Sequence, residues 1–483
     1  MLKKIASTLL ITSVLAAGGA NATVSLLAIG TLDGSFAGHE VDMSGLTGTL
    51  ENGLPANVLG GLGSGLAYAG GNVFLGLPDR GPNATSYNAA VDDTSSYITR
   101  FQTLNIALTA TPGAATPFAL TPTLQHTTLL SSSTALNYGT GAGLNLGSGA
   151  PAQNTANTYY FTGRSDNYGT GNSGNAANAR FDPESIRVSN DGRSVFISDE
   201  YGPYVRQFDR QSGKLIKTFT LPSNLDVANL SPKGSVEISG NTSGRVANKG
   251  MEGLAITPDG KTLIGIMQAP LIQDAAIGAS KKLLRIVTID IATGVTHEYG
   301  YKLTTGSGVS EIVALNSHQF LVDERDGSGL GNGDSAGVKQ IFKIDLNGAT
   351  DITSLNGAAA ANAAVAKPSQ PFLNLVTLLN ANGITSDQIP AKIEGMAFGQ
   401  DVTLNGVLEH TLYIANDNDF VPGVAGENKF YVIGFTDTDL PGFTEQSVAA
   451  LPEPATWAMM LVGFGVVGGL VRGSKRRAAT ATV

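Results

Sequence analysis

The sequence predicts an all-β chain folded as a β-propeller of six blades, with five as the alternative count. Three observations lead there. Turn formers are abundant, with 61 glycines and 20 prolines in 483 residues. Charge is sparse, at 14% of residues where roughly a quarter is usual, and the 42% apolar content supports a sizeable core. Five segments repeat one pattern: a small or acidic residue, an apolar run, a tight turn, a second β-rich run, and a polar or acidic finish.

At the N-terminus, Lys3 and Lys4 precede an apolar run from Ile5 to Ala17, and Ala20-Asn21-Ala22 has the small-x-small form of a cleavage site. Residues 1–22 therefore read as a signal peptide, removed by signal peptidase, and the propeller as residues 23–445.

The repeats follow in order. Ser64-Gly65-Leu66-Ala67 passes through Gly70-Gly71 to Val73-Phe74-Leu75 and ends Asp79-Arg80-Gly81. Glu184-Ser185-Ile186-Arg187 passes through Asp191-Gly192 and ends Asp199-Glu200. Glu252-Gly253-Leu254-Ala255 passes through Asp259-Gly260 and ends at Gln268. Glu311-Ile312-Val313-Ala314 and Glu394-Gly395-Met396-Ala397 end at Asp323-Glu324-Arg325-Asp326 and at Asn416-Asp417-Asn418-Asp419. Asp-Gly and Gly-Gly between β-rich runs are tight hairpin turns, because such turns need positive φ. Further β-rich runs after several hairpins give the three or four antiparallel strands of a propeller blade. A sixth blade is assembled from the Val24 to Thr31 run and the Phe430 to Phe435 run, which closes the ring and hides its edges. Residues 139–179 read as a Gly- and Asn-rich surface loop with one β-like island, Tyr159-Tyr160-Phe161, and the Ala-rich stretch 355–366 as a short helix.

After a linker at 446–456 that carries Pro452-Glu453-Pro454, an uncharged run from Ala455 to Val471 meets Arg472, Lys475, Arg476 and Arg477. Its length is near the short limit of a membrane span, and the basic end matches a cytoplasmic stop. This tail resembles the PEP-CTERM sorting signal of Gram-negative bacteria. The resemblance implies a membrane sorting helix and basic tail over 457–477 and processing by an exosortase. It places the protein as exported, anchored in the inner membrane during sorting, then held at the cell surface or in an extracellular matrix.

In a propeller the first strand of each blade lines the central channel, so acids distant in sequence gather at one mouth. Glu184, Glu252, Glu311 and Glu394 form a predicted ring, with Asp199, Glu200, Asp323, Glu324, Asp326, Asp417 and Asp419 beside it. Carboxylates so crowded need cations, and a flexible set of hard oxygens selects Ca²⁺. The candidate metal ligands are Glu184, Glu200, Glu252, Glu311, Glu324 and Glu394. Arg180, Lys249 and Lys392 sit just ahead of three of these glutamates and are candidate substrate-binding residues. Glu252, Glu394, Arg80 and Arg325 are the candidate catalytic set. Carboxylates with metal beside Arg and Lys suit a phosphate ester or another small-molecule ester. A net charge of −9 argues against nucleic acid as a partner, and the absence of cysteine excludes disulfides and thiolate sites. The Gly333-Asp334-Ser335-Ala336-Gly337 string lies in a loop rather than a nucleophile elbow. None of His39, His126, His297, His318 and His410 has metal-pair spacing.

The strings Leu77-Pro78-Asp79-Arg80-Gly81-Pro82-Asn83, Ser198-Asp199-Glu200-Tyr201-Gly202-Pro203-Tyr204, Lys249-Gly250-Met251-Glu252-Gly253-Leu254-Ala255 and Glu394-Gly395-Met396-Ala397 resemble the phytase-like family, also called "esterase-like activity of phytase". The resemblance covers about residues 60 to 437. It implies a propeller and hydrolysis of phosphate or other esters. Gln268 stands where the third repeat would end in an acid, and Ser64 where the first would begin with Glu. Two other functions compete: a non-enzymatic surface or matrix binding propeller, and a Ca²⁺-dependent lactonase-like hydrolase.

Overall fold

The computed structural model describes residues 24–33, 40–86, 88–141, 149–169, 171–275 and 278–451. The predicted leader at 1–22 and the predicted sorting segment at 457–477 lie outside the described residues. Among the described residues no helix is long and apolar enough to cross a membrane.

Five four-stranded antiparallel sheets surround one axis. Blade 1 comprises Gly65–Tyr68, Val73–Leu77, Arg100–Ala110 and Phe118–Leu129. Blade 2 comprises Pro183–Val188, Ser194–Asp199, Tyr204–Asp209 and Leu215–Phe219. Blade 3 is Met251–Ile256, Thr262–Met267, Leu283–Asp290 and Thr296–Lys302, and blade 4 is Gly308–Ala314, Gln319–Arg325, Lys339–Asp345 and Leu373–Asn374. Blade 5 joins Ile393–Leu404, Val407–Asn416 and Asn428–Phe435 to the N-terminal strand Ser25–Leu32.

That last blade corrects the count of six. The two runs assigned to an extra blade pair with each other, Ser25 opposite Gly434 through Leu32 opposite Asn428, and Asn428–Phe435 also pairs with Val407–Asn416. They complete the fifth sheet. The N-terminal strand therefore closes the ring by hydrogen bonds, which leaves no sheet within it unpartnered on that side.

The hairpins form as their turn residues require: Gly192 and Gly260 take φ of 71°. Each of the five inner strands packs on the next around the ring. Five apolar clusters fill the five blade interfaces; between blades 1 and 2, for instance, Leu75, Phe101, Ile186 and Ile197 are buried together. The Ala-rich stretch holds the short helix Gly357–Asn362. The long connection before blade 2 is more than a surface loop, because Phe161 and Tyr168 are buried and Tyr159–Tyr160 pairs with Ser131–Ser132. After Phe435 the chain crosses the lower face. Thr444 N donates to Leu315 O (2.8 Å), Gln446 Nε2 to Val188 O (2.8 Å), and Ala449 N to Asn190 O (2.9 Å). The start of the predicted linker is thus bonded to blades.

Candidate carboxylate site at the channel mouth

The inner strands begin at the upper mouth, and three of them begin with a β-bulge. Pairing with the second strand slips between Pro183 and Ile186, between Met251 and Gly253, and between Ile393 and Met396. Glu184, Glu252 and Glu394 fall within these slips. A bulged residue leaves the ladder and re-aims its side chain.

Blade 4 slips at a different residue. Val309 pairs with Glu324 and Glu311 with Asp323, so Ser310 takes the bulge and Glu311 takes the place that Gly253 holds in blade 3. Glu311 therefore does not join the mouth. It lies one step down the channel, fully buried, at a level where the other blades have Gly65, Ser185, Gly253 and Gly395. A Cβ on Gly253 would meet Ile312 N at 2.8 Å, because the neighbouring inner strand passes that close. The Glu311 carboxylate accepts from Ser185 Oγ (2.8 and 2.9 Å), Leu254 N (3.1 Å) and Ile312 N (3.0 Å), and it pairs with Arg187 Nη2 at 2.9 Å. Burial raises its pKa to about 7 despite Arg187 and these donors.

At the mouth, carboxylate oxygens of Asp182, Glu184 and Glu200 all lie within 4.8 Å of one another, and all three residues are buried. Asp182 is held from two sides. Its N–H donates to Asp199 Oδ1 (2.7 Å), and its own oxygens accept from Arg80 N and Arg80 Nη1, both at 3.0 Å. Glu200 Oε1 accepts from Gly250 N at 3.2 Å. Glu252 Oε1 accepts from Gln268 Nε2 at 2.5 Å, so the residue that broke the acidic pattern supplies a donor. Oε2 of Glu252 is buried and finds no N–H or O–H donor. Its neighbour is the Glu200 carboxyl, and the two share a hydrogen bond only when one carries a proton.

A second group sits across the mouth. Oxygens of Asp79, Asp417 and Asp419 also lie within 4.8 Å of one another, and Lys392 Nζ bonds Asp417 (2.8 Å) and Asp419 (2.5 Å). Arg325 Nη2 pairs with Glu394 Oε1 at 2.5 Å and lies 3.8 Å from Glu252 Oε1.

Burial and mutual repulsion set the charge state. Burial, then Glu252 and Asp182, hold the Glu184 carboxyl well above the usual range, and burial with Glu200 and Glu394 does the same to Glu252. Burial lifts Glu394 to about 7 although Arg325 and Lys392 oppose it. Asp417 goes the other way: burial is overcome by Lys392, and its pKa is lowered. Burial and repulsion thus favour the protonated forms of Glu184 and Glu252, and a bound cation would oppose that. Three converging oxygens and an orphaned fourth fit a hard divalent cation, and Asp182, Glu184, Glu200 and Glu252 are the residues that would hold it.

Of the predicted metal ligands, Glu184, Glu200, Glu252 and Glu394 meet at this mouth. Glu311 is in the channel. Glu324 points away, buried against Lys367 Nζ and accepting from Tyr301 OH (2.7 Å) and Thr304 N (3.1 Å). Arg80, Arg325 and Lys392 are at the mouth, each on a carboxylate. Lys249 is exposed at the rim, where Nζ reaches Gln268 Oε1 at 3.4 Å. Arg180 is separated from the carboxylates and lines a neighbouring cleft of about 550 Å³ together with Arg80, Tyr201 and Arg245. Sequence reasoning missed Asp182. The available signal was proximity: Asp182 is a carboxylate two residues before Glu184, at the entry to the first strand of blade 2.

Residues 57–420 match the family model described as phytase-like, esterase-like activity of phytase. An uncharacterized secreted protein of Arthroderma benhamiae is 29% identical over 323 residues, covering 56% of this chain and 60% of that one. The chain thus spans 60% of the length of that curated relative. Among solved structures, Kuenenia stuttgartiensis hydrazine synthase is similar at 12% identity over 81% of this chain and 82% of its own, with a TM-score of 0.32. A luciferin-regenerating enzyme is similar at 8% identity over 81% and 96%, with a TM-score of 0.30. Likeness at these scores does not bear on function.

Proposed function

The chain belongs to the phytase-like family, and on that premise we propose that it is an exported propeller that hydrolyses a phosphate or other small-molecule ester with the help of Ca²⁺. Support for export comes from the leader-like N-terminus and from the secreted relative. The observation that carries the hydrolytic reading is the convergence of the buried Asp182, Glu184 and Glu200, with Glu252 against Glu200, beside Arg80, Arg325 and Lys392.

When bound, a divalent cation supplies an electrophile for an ester oxygen and acidifies water. The chain's own residues do the rest. Asp182 is fixed by Asp199 and Arg80, so one ligand oxygen is pre-positioned. Arg325 and Lys392 bring positive charge to the side of the mouth where negative charge would develop on an ester's oxygens. Glu252 is placed to hold or release a proton at Oε2. The test is turnover of p-nitrophenyl phosphate, phytate and short acyl esters with Ca²⁺ and with EDTA; the reading expects Ca²⁺-dependent release, and no turnover on any substrate defeats it.

A binding propeller without catalysis is the second reading. It is favoured by the ion pairs already made inside the site, since Arg80, Arg325 and Lys392 each sit on a carboxylate. In that case Glu252→Gln lowers thermal stability or ligand affinity and there is no turnover to lose. Lactonase-like hydrolysis would share the cation and show itself on lactone substrates. The C-terminal segment beyond 451 is proposed to anchor the chain at the inner membrane during sorting, before exosortase processing and delivery to the cell surface or matrix.

A further inference from the structure

Beside the carboxylate mouth, the cleft of about 550 Å³ has walls that include Arg80, Asp93, Arg180, Tyr201, Ser231 and Ser235. Arg180 is only 2% exposed. Its Nη2 donates to Tyr201 O at 2.9 Å, the Tyr168 and Tyr201 rings each lie 5.3 Å from its guanidinium carbon, and its buried Nε has no partner. Among the described residues it makes no ion pair. Its neighbours differ: Arg80 is paired with Asp182 and Arg245 with Glu237. Arg180 is therefore the uncompensated cation of this wall, and a guanidinium removed from water without a counter-charge is costly.

Another buried arginine shows why the cleft matters. Arg206 also has no carboxylate partner, but it is sealed among Phe161, Phe181 and Tyr204 at 4.1 to 4.9 Å and does not line the cleft. Ring faces and the carbonyls of Ala176 and Asn178 surround it, its Nε and Nη1 have no hydrogen-bond partner among the described residues, and the cleft does not reach it. Arg180, by contrast, is among the residues that line the cleft. Asp93 lines the same cleft, and its Oδ1 is buried with no donor. One wall lacks an oxyanion and the other lacks a hydrogen-bond donor.

We propose that this cleft binds a polyhydroxylated oxyanion, its carboxylate or phosphate on Arg180 and a hydroxyl on Asp93. Two sources share that chemistry: a sugar acid and a sugar phosphate. A side-on guanidinium edge accepts either. Ser231 and Ser235 add hydroxyls suited to a polyol. The inference rests on the proposed hydrolysis only in locating the ligand, because Arg80 borders both the cleft and the mouth and would place a bound sugar within reach of the carboxylates.

Calorimetry on the purified protein in EDTA, with glucuronate, glucose 6-phosphate and neutral glucose as probes, tests it. Both anionic sugars are expected to bind and glucose to bind at least about tenfold more weakly; the tighter of the two identifies the source. Arg180→Gln is expected to weaken both by about tenfold or more. Asp93→Asn should weaken the sugars several-fold and leave plain acetate or inorganic phosphate unchanged. Should Arg180→Gln fail to fold, Arg180→Lys and Asp93→Asn carry the same comparison. Equal binding of glucose and the anionic sugars overturns the proposal, as does anion affinity indifferent to Arg180 or no binding at all. Binding in EDTA with no turnover under any condition keeps the cleft and defeats the hydrolase; turnover without anion binding does the reverse.

Discussion

Arg187 and Glu311 meet at 2.9 Å on the axis of the propeller, an ion pair between blades 2 and 4 that closes the channel below the carboxylate mouth. Arg187 also donates to Leu66 O (2.7 Å), Ile186 O (2.6 Å) and Ile312 O (3.0 Å), so one guanidinium ties blades 1, 2 and 4. Removing either partner strands the other, buried, in the channel. Arg187→Met should cost about 3–5 kcal/mol, and adding Glu311→Leu should restore at least about half of that. Urea denaturation of the two variants measures both; an unaltered midpoint in Arg187→Met contradicts the account.

Cation binding at the mouth should release protons. Burial raises the pKa of Glu184 and Glu252 and lifts that of Glu394 to about 7. Ca²⁺ affinity should rise with pH through 7, and titration in buffers of different ionisation enthalpy should show net proton release. Affinity flat between pH 5.5 and 8 is the contrary result.

Stability without Ca²⁺ should move the opposite way. A carboxyl whose folded pKa is raised favours the fold fully below its unfolded value, and the benefit is lost as pH climbs through the folded value. For Glu394, with an ordinary value of 4.5 and about 7 in the fold, that window runs from 4.5 to 7. Asp323 extends it to about 8, chiefly through burial. Melting temperature in EDTA should fall from pH 5 to pH 8, and Ca²⁺ should reduce the slope.

Gly163 lies behind Arg80. A Cβ there would sit 1.8 Å from Arg80 O, a contact that backbone must move to relieve. Gly163→Ala should push Arg80 off Asp182, cost about 2 kcal/mol, and weaken Ca²⁺ binding more than Lys249→Ala does at the exposed rim. Ordinary Ca²⁺ affinity in Gly163→Ala would show that Arg80 does not position Asp182.

The lower strap should add stability of its own. The Phe443 ring packs, tilted or edge-on, against Phe398 at 4.7 Å, His410 at 4.8 Å and Phe435 at 5.3 Å between centroids. Being only partly buried, it should lose about 2 kcal/mol on Phe443→Ala, below the roughly 3–5 of a fully buried ring. Thermal unfolding checks this, and a variant as stable as the parent argues that the strap is held by its backbone alone.

Much of this molecule was legible in one dimension. Repeats, Asp-Gly turns and alternating apolar runs act over a few residues, so the all-β propeller and its hairpins could be read directly. Glu184, Glu252 and Glu394 could be placed at the mouth because each opens an inner strand. Asp182 and the separation of Arg180 were not visible, since both depend on how the chain enters blade 2. Blade number was misjudged because pairing of Ser25–Leu32 with Asn428–Phe435 joins segments about 400 residues apart.

What the amino-acid order determined alone was the material: which runs become strands, where they turn, and that acids recur at their starts. Tertiary structure decided which acids meet. Glu311 matches Glu252 in sequence, yet a bulge at Ser310 shifts it one position, and a shift of one residue in a strand sends a side chain elsewhere. Its carboxylate went to Arg187 in the channel, where local chemistry could not have sent it, and the mouth was left to Asp182, Glu184, Glu200 and Glu252.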